Sequence, residues 1–193
     1  MFARTLTVVS LFSVAFQYVN ATCLLDNNAQ KVAENYKTLF SNYSPQFANQ
    51  VLTSDVIDQS DSVNWLIANG TNCPPPLGST TFNGRTAFEA GQGSQPNMPF
   101  TILNVYHDCT NVFVRWKFDQ TVQSPQQVQG ISVLGTTLNT DLTKLLTQPY
   151  LIKTVYAEFN VGAFITNLGY YHGTPPPTCK NSKREVEGVA FVA

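Results

Sequence analysis

Apolar and polar positions along the chain change their period several times, and each change marks an element. From Leu25, apolar residues recur at three- and four-residue steps through Ala29, Val32, Tyr36, Leu39 or Phe40, and Tyr43. That spacing predicts an amphipathic helix, capped by Asp26 or Asn27 and ended by Asn42 and the Ser44-Pro45 pair. Pro45 then opens a shorter helix through Phe47, Val51 and Leu52. Residues 55–62 read as a short strand holding Asp55, Asp58 and Asp61, residues 63–67 as a helical turn, and residues 84–91 as a short helix stopped by Gly91 and Gly93. A period of two takes over in residues 100–118, FTILNVYHDCTNVFVRWKF, which predict two strands joined by a tight turn at 108–111. Ile102, Asn104 and Tyr106 fall on one side of the first arm, with Leu103, Val105 and His107 on the other. In the second arm Val112, Val114, Trp116 and Phe118 share a face opposite Phe113, Arg115, Lys117 and Asp119. Further strands are predicted over residues 128–138, bent at Gly130 and Gly135, over 150–160, and over 162–171, with a helical turn at 142–146. Strands apolar on one face and mixed on the other suit a curved sheet wrapped around an interior.

The first residues fall outside this scheme. Arg4, an apolar run from Leu6 to Phe16, and the small-residue step Val19-Asn20-Ala21 form the three-part pattern of a secretory signal peptide. The expected division is therefore a signal peptide at 1–21, one domain at 22–179 and a tail at 180–193. The tail follows Pro175-Pro176-Pro177 and carries Lys183-Arg184, either a dibasic processing signal or two solvated charges. A formal charge of −1 with 12% charged residues leaves no basic stripe for nucleic acid and no polybasic patch for a membrane. Secretion gives the four cysteines, Cys23, Cys73, Cys109 and Cys179, an oxidising setting and two expected disulfides. Three pairings are open, and Cys73 with Cys109 and Cys23 with Cys179 is the expectation. No metal is expected, because no Cys-x-x-Cys spacing occurs and the only histidines are His107 and His172. Asn69-Gly70-Thr71 is a glycosylation acceptor in a loop, and Asn42-Tyr43-Ser44 a weaker one because Pro45 follows.

The segments NQVLTSDVIDQSDSVN (49–64), GRTAFEAGQGSQPNMPFTILNVYHDC (84–109), VFVRW (112–116) and YLIKTVYAEFNVGAFITNLG (150–169) carry a resemblance. Together they resemble the nuclear-transport-factor-2-like superfamily, SnoaL-like proteins included, and within it small secreted fungal proteins. The resemblance implies an α+β cone, a strongly bent antiparallel sheet wrapped around N-terminal helices. It spans isomerases, dehydratases, cyclases and pure binding modules, so it leaves the activity open. Ketosteroid isomerase, a member, pairs a carboxylate base with a tyrosine oxyanion donor. By that likeness Tyr36 takes the tyrosine's place and Ser60 or Asp61 lies near the base's, though the Asp-Pro step is missing. Dehydratases and cyclases of the superfamily use histidines and aspartates, which adds His107. Glu158 alternates with Tyr156 and Asn160, and either lines a cavity as an acid–base group or pairs with Arg115.

Trp65, Phe88, Tyr106, Trp116, Phe159 and Phe164 are candidates to line an apolar interior. Two functions follow. One is a cofactor-free extracellular protein that binds a small hydrophobic molecule or a partner without chemistry. The other is a cofactor-independent isomerase or dehydratase. They differ in whether Tyr36, Asp58 or Asp61, His107 and Glu158 converge on one cavity. Relatives that dimerise through the outer sheet face make a homodimer a further expectation.

Overall fold

A computed structural model describes residues 23–68, 73, 75–120 and 126–168 of the chain. The signal-peptide expectation, Asn69 and the tail with Cys179 lie outside these residues. Helices α1 (Asp26–Ser41) and α2 (Pro45–Val51) lead into strand β1 (Leu52–Gln59), then α3 (Asp61–Ile67), β2 (Thr80–Asn83) and α4 (Arg85–Gly93). Strands β3 (Phe100–His107), β4 (Asn111–Phe118) and β5 (Val128–Leu138) follow. A 3-10 turn at Leu142–Lys144, β6 (Tyr150–Phe159) and α5 (Val161–Asn167) complete the order. The six strands form one sheet in the order β2-β1-β6-β5-β4-β3. Among its pairings β1 lies parallel to β6 and the others are antiparallel. The result is an α+β cone whose sheet curls without closing. Among the described residues no helix is long and apolar enough to cross a membrane.

The amphipathic helix forms as its spacing predicts. Ala29, Val32, Ala33, Tyr36 and Leu39 are buried on α1, and they meet the inner side of the sheet at Val112, Val114, Leu134, Ile152 and Val155. Neither Asp26 nor Asn27 caps it: the cap position is Leu25, which offers no side-chain acceptor. Ser44 does cap α2, accepting from the Phe47 amide at 3.1 Å.

Bulges curl the sheet. One at Leu103, between Ile102 and Asn104, reverses the alternation of β3. It places Ile102 and Val105 together against the core, where an unbroken strand would part them. Another lies between Gly135 and Thr136. Residues 162–168, the described part of the expected 162–171 strand, do not add a strand. The chain turns at Asn160 and forms α5, because β6 already has β1 and β5 as neighbours and offers no free edge.

Gly130 marks a close approach. A methyl built there would lie 2.7 Å from Trp116 Cε2 and 2.8 Å from the Glu158 carbonyl oxygen. Trp116 is held on its other sides by Phe100, Phe118 and Phe159, so it cannot withdraw. Gly130→Ala is expected to cost about 2 kcal/mol or more in a urea titration, the range of overpacking in a filled core. A loss below roughly 0.5 kcal/mol would mean that the indole has room to move.

Two bridges tie the loops. Cys23 is bonded to Cys109, which corrects both expected pairings. The start of α1 and the β3–β4 turn are neighbours, a proximity that also shows in the Leu24 amide donating to the Cys109 carbonyl at 3.2 Å. Cys73 is disulfide-bonded as well.

Candidate functional site

A hydrogen-bonded set of polar groups inside the cone comes from three elements. Tyr36 projects from the apolar stripe of α1, Ser132 from the inner face of β5, and Trp116 from the inner face of β4; all three are buried. The indole N–H can only donate, so Ser132 Oγ accepts from Trp116 Nε1 at 2.9 Å. Ser132 in turn donates to the Tyr36 hydroxyl at 2.9 Å. This chain of donors leaves the Tyr36 proton over, to be given to a further acceptor. Burial holds the Tyr36 pKa well above its ordinary value, and the negative charge of Asp58 adds to the shift.

Asp58 is the acid inside. Val56 and Asp58 on β1, and Ser60 just past its end, alternate inward, and Asp58 is only 7% exposed. The buried side-chain atoms left without a partner among the described residues are Thr53 Oγ1 and Gln92 Nε2, and the Asp58 oxygens are not of that kind. Burial pushes its pKa up to about 7, helped by the charge of Glu158. A largely buried carboxyl with a raised pKa marks a candidate functional group.

Aromatic rings pack around Tyr36, which meets Phe40 and Phe100 edge-on. Phe100 stacks on Phe40 and on Trp116, while Trp116 touches Phe118 and Phe159. Phe164 on α5 packs on Phe118 and Phe159. Phe118, Phe159 and Phe164 are only partly buried, so this end of the ring cluster approaches solvent. Phe88 is buried against Phe82, and Trp65 is half-buried on α3. Tyr106, expected inside, is 64% exposed on the outer face of β3 because of the Leu103 bulge.

Of the four residues expected to do chemistry, Tyr36 alone lies in the interior. Glu158 sits on the outer face of β6 and does not pair with Arg115. It accepts from the Asp61 and Ser62 amides at 2.7 and 3.0 Å and from the Ser62 hydroxyl, so it holds the first turn of α3. Asp61 Oδ1 accepts from the Gly78 amide at 2.9 Å and clasps the loop before β2. His107 stands beside the Cys23–Cys109 bridge. Its Nε2 meets Asp26 Oδ1 at 2.8 Å and its Nδ1 the Asp108 carbonyl at 3.1 Å. Both partners only accept, an arrangement that favours the ring protonated on both nitrogens. The Asp26 bond raises its pKa, with the Asp108 carbonyl adding. Asn42 is exposed at the end of α1.

Asp58 was not separable by pattern from Asp55 and Asp61, which share its spacing of three. The signal that marks it is the inward run of Val56, Asp58 and Ser60. Among the described residues no group of three metal-ligating side chains occurs.

The family model described as an NTF2-like domain matches residues 22–171. No curated protein sequence matches the chain significantly. Among solved structures, a hypothetical protein with a ketosteroid isomerase-like fold from Catenulispora acidiphila, in complex with trimethylamine, aligns at 12% identity and a TM-score of 0.50. The alignment covers 72% of this chain and 92% of that one. A loop-truncation variant of IdmH aligns at 10% identity and a TM-score of 0.51, over 73% of this chain and 99% of that one. At these identities the likeness is one of fold.

Proposed function

The chain belongs to the NTF2-like domain family, and from that premise we propose that it is a secreted cone protein that binds a small, mostly apolar molecule. The molecule carries one hydrogen-bonding group, which meets Tyr36 and Asp58. The single observation that carries this reading is the Asp58 carboxyl, an acid side chain only 7% exposed on the inner sheet face, its pKa raised by that burial. The unused Tyr36 proton supplies the complementary donor, and the ring cluster supplies an apolar surround. The disulfides favour an oxidising compartment, in keeping with export.

A second reading, a cofactor-independent isomerase or dehydratase, is favoured by the Asp58 pKa near 7, the range in which a carboxylate serves as a base at neutral pH. In that reading Asp58 takes a proton from the ligand and Tyr36 donates to the oxyanion that develops.

Native mass spectrometry of protein purified from culture fluid tests the binding reading. A retained small molecule is expected in the parent chain, and its loss in Asp58→Asn and Tyr36→Phe. Retention unchanged in both variants overturns the site. Release of an altered molecule by the parent but not by Asp58→Asn moves the second reading ahead.

A further inference from the structure

The end of the cone where α1 starts carries a feature independent of the interior site. Two short segments, residues 23–26 and 107–109, are clasped there by three ties. These are the Cys23–Cys109 bond, the Leu24 amide donating to the Cys109 carbonyl at 3.2 Å, and the His107–Asp26 pair at 2.8 Å. Cys23 and Cys109 are both exposed. The two sides of the clasp differ in how they hold themselves. The Asp108 carboxylate accepts from the Thr110 and Asn111 amides, each at 2.7 Å, and from the Asn111 side chain, so the β3–β4 turn is closed without the bridge. On the other side α1 has no side-chain cap, and of residues 23–28 Leu24 alone is buried. Cys23, Leu25 and Asn28 line a concavity of about 460 Å³ together with Leu138, Leu145 and Tyr150.

We propose that the Cys23–Cys109 bridge is a redox latch: reduction by a dithiol frees residues 23–28 from the β3–β4 turn and opens this concavity, while the rest of the cone stays folded. One thiolate of the dithiol attacks Cys109 Sγ and forms an S–S bond with it. The Cys23–Cys109 bond breaks, and its electron pair leaves on Cys23. The second thiol of the reductant, once deprotonated, attacks the reductant's own sulfur in that mixed disulfide, closes the reductant's disulfide and releases Cys109. Two electrons and two protons thereby pass from the dithiol to the bridge. Cys23 is the better leaving group because it stands just ahead of α1, at the positive end of a 16-residue helix. The Asp26 charge opposes a thiolate there, and the His107 ring held on Asp26 offsets it. After reduction the remaining ties are one backbone bond and an ion pair whose Asp26 side chain is fully exposed, so solvent screens it. Opening stops at Ala29, which has no exposed surface and packs in the core with Val32 and Ala33. Leu24 and Tyr150, 3% and 7% exposed in the closed form, are the apolar groups that it uncovers.

The test treats the full secreted chain with dithiothreitol in the absence of denaturant, blocks free thiols with iodoacetamide at intervals, and reads hydrogen exchange by mass spectrometry. Exchange in residues 24–29 is expected to rise roughly tenfold or more, with residues 100–118 and 150–159 nearly unchanged, the pattern of a local opening. In the same digests the rise should follow the fraction of Cys23 and Cys109 alkylated, and reoxidation of unblocked protein should reverse it. The double-serine chain, Cys23→Ser with Cys109→Ser, lacks this bridge alone and is expected to show the same exchange without reductant. A rise that follows alkylation of Cys73 instead overturns the proposal. So do unchanged exchange in residues 24–29 after full alkylation of Cys23 and Cys109, and a bridge that resists the dithiol until the strands also exchange. A double-serine chain that does not fold overturns it as well, because a latch opens without loss of the fold.

Discussion

Asp58→Asn is expected to be more stable than the parent chain at pH 8 and close to it at pH 4. The cause is the raised pKa of the folded state, about 7 against an ordinary 3.8. A carboxyl raised in this way contributes stability that is fully present below pH 3.8 and lost as pH climbs to 7, after which the curve is flat. At 1.36 kcal/mol per pKa unit, the charged form costs the folded state about 4 kcal/mol above pH 7. Asparagine removes that cost, so with the two chains nearly equal at pH 4 the gain at pH 8 is about 4 kcal/mol, read from urea titrations of both chains at pH 4, 6 and 8. At pH 4 Asp58 is protonated in the fold, and the two side chains are nearly equivalent. His107 also loses stabilisation as pH rises, but it is common to both chains and cancels in the difference. If the gap between the chains is the same at pH 4 and pH 8, Asp58 ionises normally and the candidate site loses its acid. A residue that weakens the fold at the pH where it is charged is one whose retention needs a use.

The architecture was legible where burial and local pattern agree. The stripe Ala29, Val32, Tyr36, Leu39 could bury only as a helix, and the alternation in residues 112–118 only as a strand. Trouble came where tertiary context decides. In residues 161–167 β-branched and aromatic residues suggest a strand, yet β6 is an interior strand and the chain must leave the sheet there. Strand β2 has four residues behind a Pro- and Gly-rich loop, too few for a periodic signal. The Leu103 bulge leaves no trace in composition, but it exchanges the faces of the residues after it and sends Tyr106 outward. The same limits apply to the site. Tyr36 was readable from its helix, whereas His107 and Glu158 are polar residues on core strands whose partners come from distant segments. Only the fold shows that those partners are Asp26 and the start of α3.

Removing the Cys23–Cys109 bridge, by serine at both positions, is expected to cost the largest share of stability of any change outside the core. The bridge joins residues 86 apart in sequence. On the chain-entropy model a loop of that size is worth about 4–5 kcal/mol, an upper value because the bridge at Cys73 also restrains the unfolded chain. The native side of the balance points the same way. Helix α1 begins at Leu25 without a side-chain cap, so its first turn depends on neighbouring ties. Those ties are the bridge, the Leu24–Cys109 backbone bond and the His107–Asp26 pair, all at the β3–β4 turn. Because they fix the same few residues, they do not act independently. His107→Ala is therefore expected to cost more in the serine background than in the parent, measured by thermal melts of the four chains at pH 6. A non-reducing peptide map of the parent should give Cys23 with Cys109 and Cys73 with Cys179. A double-serine chain that loses less than about 1 kcal/mol would mean the unfolded chain gains little freedom. Additive effects of the two changes would mean that the start of α1 holds to the sheet without either tie.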